Sequence, residues 1–279
     1  MSPELSADTP LVIEVTDLVT HYGERQILNG IDFDVREGEI MVIMGGSGSG
    51  KSTLMRHLLS LEQATSGTKK LLGQDVNTLD IKGRTELSKK IGVAFQSGAL
   101  FSSMSVGDNI MLPLAEHTKL DIQTQQIMAR MKLEVVDMAG FEDLMPSELS
   151  GGMIKRAAMA RAIIMDPKIL FCDEPSAGLD PVVASALDDL ILKLRDAMRM
   201  SIVVVTHELE SAFKIADRIT VLDRGDILMC GSVDEIRNSQ NERIQNILNR
   251  RSEEEILDGD EYLARLTGTD FEPQDTSPL

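Results

Sequence analysis

Tryptophan is absent from this chain and aromatics make up only 3% of its 279 residues. The 16 methionines then tempt a lipid-contact reading, but methionine is first of all an adaptable filler of cores and interfaces. Cysteine is nearly absent too. Cys172 and Cys230 stand alone, without metal-ligand spacing, inside apolar runs, and they read as small core residues of a reducing compartment rather than a disulfide. No stretch reaches the roughly 18 consecutive apolar residues that a bilayer-spanning helix needs. The first ten residues carry Glu4 and Asp8 and no apolar h-region, so no signal peptide is expected there. Basic side chains are in deficit. Against 45 acidic residues there are 28 basic ones, for a net charge of −17, which argues against a nucleic-acid partner. About half of that charge is local: residues 252–279 hold nine carboxylates against Arg265 alone.

What the chain does have is three short apolar runs, each ending on polar residues. They are residues 40–44, 169–172 and 202–205, and they read as strands buried on both faces of a parallel sheet. Residues 11–20 and 31–35 read as an antiparallel edge, and 217–222 with 226–230 as a final hairpin turning at Arg224 and Gly225. Residues 121–138 and 149–165 have helical periodicity with no strand signal between them, which suggests an all-helical insertion. The expected organisation is an α/β core over residues 1–97 and 166–238, a helical subdomain over 98–165 and an acidic extension over 239–279.

The first run leads into Gly45, Gly46, Ser47, Gly48, Ser49, Gly50, Lys51, Ser52 and Thr53. This is G-x-x-x-x-G-K-[ST] between a strand and a helical segment, the context of a phosphate-binding loop. Glycines let successive backbone N–H groups turn inward around phosphates, at the positive end of a helix dipole. Lys51 adds a point charge, and the Ser52 hydroxyl is placed to ligate Mg²⁺. The second run ends in Asp173 and Glu174, at the carboxyl end of a buried strand, where open α/β sheets bind ligands. Asp173 would hold the Mg²⁺ shell and Glu174 would polarise an attacking water as general base. Ser150, Gly151 and Gly152 open a helix and make a second phosphate site. One nucleotide does not need two helix N-termini on distant segments, so this second loop is expected to serve the ATP held by another copy of the chain.

With Gln96 after a strand, residues 176–180 after the acidic pair and His207 after a further strand, the set resembles the ATP-binding-cassette (ABC) ATPases over residues 11–236. The resemblance implies a P-loop NTPase fold: a RecA-like parallel sheet core, an antiparallel β edge and an inserted all-helical subdomain. It implies ATP and Mg²⁺ as ligands, Gln96 as the link between Mg²⁺, water and the helical subdomain, Asp180 in a loop reaching across the dimer, His207 on the γ-phosphate and Tyr22 stacked on adenine. Met153 departs from the glutamine that usually closes the signature. Residues 145–153, 95–101 and 112–118 look like the ATPase of lipid-transport systems of the Mla and Mce type.

That likeness implies a peripheral subunit on the cytoplasmic face of a bacterial inner membrane. Its partners would be a second copy of itself, integral permease subunits and a membrane-anchored MCE-type lipid-binding subunit. Met104, Val106, Ile110, Met111 and Leu114 would either wall the groove for the permease or pack the subdomain. The extension would either be a disordered solubilising tail, by its charge and prolines, or dock on the neighbouring subunit through apolar residues from Ile244 to Leu266, the reading that so many apolar residues favour. The alternatives are an ABC ATPase for an amino acid, ion or lipoprotein, and a soluble non-transport ABC protein. The second would need a coiled-coil insertion or two fused cassettes with a basic surface, and this chain has neither.

Overall fold

The computed structural model describes residues 9–249. The apolar runs become strands, and their order explains the site. β1 (Leu11–Tyr22) and β2 (Arg25–Arg36) form a hairpin longer than its apolar pattern suggested, closing on Gly23 at φ 61°. Two strands with no apolar signature, β4 (Ser66–Leu71) and β5 (Gln74–Asp75), complete an antiparallel sheet in the order β2-β1-β4-β5. β3 (Ile40–Met44), β6 (Ile91–Ala94), β7 (Ile169–Asp173), β8 (Ser201–Val205), β9 (Arg218–Asp223) and β10 (Asp226–Gly231) form the second sheet, in the order β10-β9-β3-β8-β7-β6. All pairs in it are parallel except β9–β10, which is the expected terminal hairpin.

α1 (Lys51–Leu58) follows β3 and shares one apolar core with both sheets: Leu54 and Leu58 lie with Ile13, Val35, Met41, Phe171 and Val203. Burying each such side chain contributes about 1.5–3 kcal/mol. The alternate residues Ile40, Val42, Ile202 and Val204 are as fully buried but belong to the other face, where α7 (Leu209–Ile215) packs on β3. α6 (Pro181–Met198) precedes β8, packs against α7, and buries Leu187, Leu190, Ile191 and Leu194.

The small sheet is fastened to the large one by charge. The Arg218 guanidinium donates to Asp34 at 2.9 and 3.3 Å and to Glu39 at 3.3 Å. Glu39 is fully buried, and burial pushes its carboxyl up while the Arg36 amide and Arg218 hold it down. Cys172 lies in the core as expected, its thiol pushed up to about 12 by burial. Cys230 does not: it is exposed on β10, with the Arg218 guanidinium 3.0 Å from its sulfur.

Between β6 and β7 the described residues are helical, after α2 (Ile81–Ser88) on the β5–β6 connection. α3 (Val106–His117), α4 (Ile122–Val135) and α5 (Gly151–Ala162) are capped by Ser105, Asp121 and Ser150, whose side chains accept from Asp108, Thr124 and Met153 amides. Val106, Ile110, Met111 and Leu114 are buried where α3 meets α4 and α5. They pack the helices rather than wall an open groove. α8 (Val233–Arg237) ends the first compact unit, at Gln240. The second unit begins at Asn241, which caps α9 (Glu242–Leu248). The docking expected of the extension rests mainly on residues 250–279, outside the described part of the chain. No helix among the described residues is long and apolar enough to cross a membrane.

One buried cation has no sequence pattern behind it. Lys69 on β4 is 7% exposed and donates to the His57 carbonyl and to Ser60 Oγ (2.9 Å), so it caps the carboxyl end of the phosphate-loop helix. Burial pushes its ammonium down to about 8. The unfolded chain therefore holds that proton more tightly than the folded one. Lys69 opposes folding fully below about pH 8, and the opposition fades as pH climbs toward the ordinary lysine range. Between about pH 7.5 and about pH 9.5 the wild type should gain about 2 kcal/mol on Lys69→Met, read by urea unfolding of both proteins at each pH.

Candidate nucleotide site

Adjacent parallel strands deliver the site residues to one rim. β3 ends at the Gly45 loop, β8 at His207, β7 at Asp173 and Glu174, and β6 just before Gln96. Loop geometry explains the glycines. A Cβ on Gly45 would lie 2.1 Å from the Leu222 carbonyl oxygen, and Gly50 stands at φ 106°. Gly46 and Gly48 have open space where a Cβ would be. The Ser49 hydroxyl is buried without a partner. Lys51 Nζ donates to the Gly45 and Gly46 carbonyls, both at 2.8 Å, and so spans the loop. Burial pushes the Lys51 ammonium down, and the Glu174 and Asp173 carboxylates pull it back up. Ser52 lies exposed on the first turn of α1, and Thr53 is buried beside it.

A cavity at this loop is lined by residues 48–53 with Tyr22, Arg25 and Ile27. Tyr22 is 45% exposed, and its hydroxyl donates to Glu62 at 2.6 Å, which fixes the ring beside the loop. On the other side of Lys51, Glu174 Oε1 lies 2.8 Å from His207 Nδ1, and Thr206 Oγ1 donates to Glu174 Oε2 at 3.2 Å. Glu174 itself stands at φ 45°, in the left-handed region that a non-glycine residue adopts under constraint. Its amide donates to the Val205 carbonyl at 2.8 Å. Burial and the neighbouring Glu174 charge push the Asp173 carboxyl up, while Lys155, Arg56 and Lys51 pull it down. The donors fit a polyphosphate: an amide-rich cradle with room above it, an orphaned buried hydroxyl and a lysine satisfied only by loop carbonyls.

Gln96 is exposed after β6, near this rim. Ser150, Gly151, Gly152 and Asp180 are not part of the loop cavity. The start of α5 meets the start of α6 instead. A Cβ on Gly152 would sit 2.7 Å from Val183 on α6, whose amino end Asp180 caps by accepting from the Val182 and Val183 amides. Ser150, Gly151 and Asp180 are exposed. The chain thus presents one loop to its own nucleotide cavity and a second, outward-facing set of donors.

Three residues of the site carried no motif. Thr206 fixes the Glu174 carboxylate. Lys155 donates to the carbonyls of Gln96 and Glu174, and Arg161 donates to those of Ala99 (2.7 Å) and Gly98 (2.8 Å). Lys155 lies one helical turn after Gly151, a spacing that places it on the same helix face and offers the only sequence signal for it.

The profile of the ABC transporter family matches residues 28–177. This chain belongs to that family. It is an ABC ATPase, built on the P-loop fold with an antiparallel edge sheet and inserted helices. It is 37% identical over 242 residues to the intermembrane phospholipid transport system ATP-binding protein MlaF of Haemophilus influenzae, covering 87% of this chain and 92% of that one. It is 36% identical over 241 residues to a probable ribonucleotide transport ATP-binding protein of Mycobacterium leprae, covering 86% and 70%. Among solved structures, a dimeric post-hydrolysis ATP-binding cassette bound to ADP and Pi superposes with a TM-score of 0.72 at 28% identity, covering 79% of this chain and 98% of that one.

The two loop glycines separate space from strain. Gly45→Ala forces backbone against the Leu222 carbonyl and should destabilise the ABC fold by about 1–3 kcal/mol, whereas Gly46→Ala, with nothing near its Cβ, should melt like wild type. Thermal unfolding without nucleotide checks both.

Proposed function

We propose that this ABC subunit drives phospholipid movement between membranes. Two copies close head-to-tail on two Mg·ATP, and a separate membrane permease answers the closure. The observation that carries the motor half is the pairing of Glu174 with His207 at 2.8 Å, beside a polyphosphate cradle and away from the exposed Ser150 loop. A pocket so divided is completed by the second copy's Ser150, Gly151 and Gly152, with its Asp180 in the crossing loop. Closure excludes water, and phosphoryl transfer to water gains chiefly from positioning and fixed charge.

Glu174 takes the proton of the attacking water. Thr206 and His207 hold its two oxygens, and His207 then faces the γ-phosphate. Lys51 and the loop amides hold the phosphates, and Tyr22 stacks on adenine. Ser52, Asp173 and Gln96 would hold Mg²⁺, which supplies charge neutralisation between the phosphates. These are oxygen donors, and among the described residues no group of three or more His, Cys, Asp or Glu is arranged to hold a metal ion by itself. Such sparse ligation suits a metal bound largely through substrate phosphates and water. Residues 98–165 act as the subdomain that passes movement on, at the cytoplasmic face of an inner membrane.

The lipid cargo is supported by the phospholipid-transport name of relatives at 36–37% identity across most of the chain. An MCE-type anchored subunit is the matching lipid-binding partner. A second reading, a nucleotide cargo, is favoured by the mycobacterial relative named for ribonucleotide transport. Purification of the intact complex from membranes separates the two: co-eluting permease, MCE-type subunit and phospholipid support the lipid reading, and bound ribonucleotide without lipid overturns it. For the motor, Glu174→Gln should bind ATP and dimerise on it yet turn over roughly 10²–10⁴ more slowly. Steady-state phosphate release and size-exclusion chromatography with ATP check this. Wild-type turnover in that variant would remove Glu174 from its role.

A further inference from the structure

Lys155 is an ammonium on the signature helix, and the phosphate chemistry makes no direct use of it. It is 8% exposed, and its Nζ reaches past the helix to two carbonyl oxygens, those of Gln96 and of Glu174 (3.1 Å for the second). These carbonyls leave the ends of different strands, β6 and β7. The Glu174 carbonyl also accepts from the Ala177 amide at 3.2 Å, so Lys155 completes the turn that keeps Glu174 in its left-handed conformation. Two turns further along α5, Arg161 grips Gly98 and Ala99, and a Cβ on Gly98 would lie 2.6 Å from Ile154. The segment from Gln96 to Ala99 is therefore seated on α5. Lys155 is thus a buried cation held by main-chain carbonyls, where an apolar side chain would serve packing alone.

We propose that Lys155 is a positioning residue for hydrolysis, one that makes the orientation of the Glu174 carboxylate depend on where α5 stands. α5 begins at Ser150, Gly151 and Gly152, the donors offered to the second copy's nucleotide. When that nucleotide draws the helix N-terminus in, Lys155 carries the Gln96 and Glu174 backbones with it, and closure brings the already clasped base into line with the attacking water. This deepens the function proposed above and rests on Glu174 being the base.

Steady-state ATP hydrolysis and binding of a fluorescent ATP analogue test it on the full chain, for Lys155→Met, Lys155→Arg and Glu174→Gln in parallel. Lys155→Met should lose at least about tenfold in kcat while KM and analogue affinity stay within about twofold, and Lys155→Arg should recover to within about threefold of wild type. A merely structural cation would lower kcat and affinity together, or give no rescue with arginine, and either result overturns the proposal. So does wild-type kcat in Lys155→Met while Glu174→Gln is inactive, which leaves the base assignment standing. If Glu174→Gln itself turns over normally, the base assignment falls and this proposal with it. Should Lys155→Met fail to fold, Lys155→Gln takes its place with the same split expected and the same results overturning it.

Discussion

Main-chain pairing across the parallel strands governs the whole site. Val205 is in register with Ile43 on one side and Asp173 on the other, and Cys172 with Ala94. Given those pairs, the residues following each strand have to emerge at one rim, within reach of one polyphosphate. Yet β3, β7 and β8 are apolar on both faces, so a one-residue slip would bury an equally apolar set, and their patterning fixes register poorly. Register is set by polar groups at the strand ends. Asp217 Oδ2 accepts from the Ile40 amide at 2.8 Å, Ser201 Oγ accepts from the Gly38 amide at 2.9 Å, and the Glu174 amide reaches the Val205 carbonyl. The pairing of half-buried Arg218 with buried Glu39 adds the same kind of constraint at the junction of the sheets.

Electrostatics then makes that rim receptive. The chain carries −17 overall, but around the site Lys51, Arg56 and Lys155 act on two adjacent carboxylates, Asp173 and Glu174. Near balance matters because the incoming polyphosphate is strongly negative. Lys51, held at the loop by the Gly45 and Gly46 carbonyls, puts a positive charge beside the cavity to meet part of that charge. The Asp173 carboxyl is raised by burial and by Glu174 and lowered by Lys155, Arg56 and Lys51.

Legibility in the sequence followed the physics. The phosphate loop, the acidic strand end and His207 could be read because each needs a side chain type at a fixed distance from a buried apolar run. Strand β3 was readable to the residue for the same reason. β4 and β5 were not, because residues 66–71 alternate weakly and carry two lysines and β5 is only two residues long. Lys69 broke the pattern outright: its buried position rests on the His57 carbonyl and the Ser60 hydroxyl at the end of α1, which no local window contains. Cys230 misled for the opposite reason, since β10 is an edge strand whose apolar run is only half-buried and leaves Cys230 exposed. The groove residues Val106, Ile110 and Leu114 were legible as apolar but not as interior, a distinction that depends on where α4 and α5 lie.

What remained hidden was the wiring between motifs. Glu174, Gln96 and Ser150 can each be found alone, but nothing in their spacing says that one lysine and one arginine on α5 bind the backbones that carry the first two. Such links use carbonyl acceptors, which every residue has, so sequence gives them no signature. They matter because α5 and the sheet are joined there by charge-assisted hydrogen bonds to exposed-side loops rather than by strand pairing. A helix attached in this way can shift while the sheet stays rigid. The strands fix where the phosphate loop emerges, the helix carries the exposed Ser150 and Gly151, and the backbone between them is joined to both.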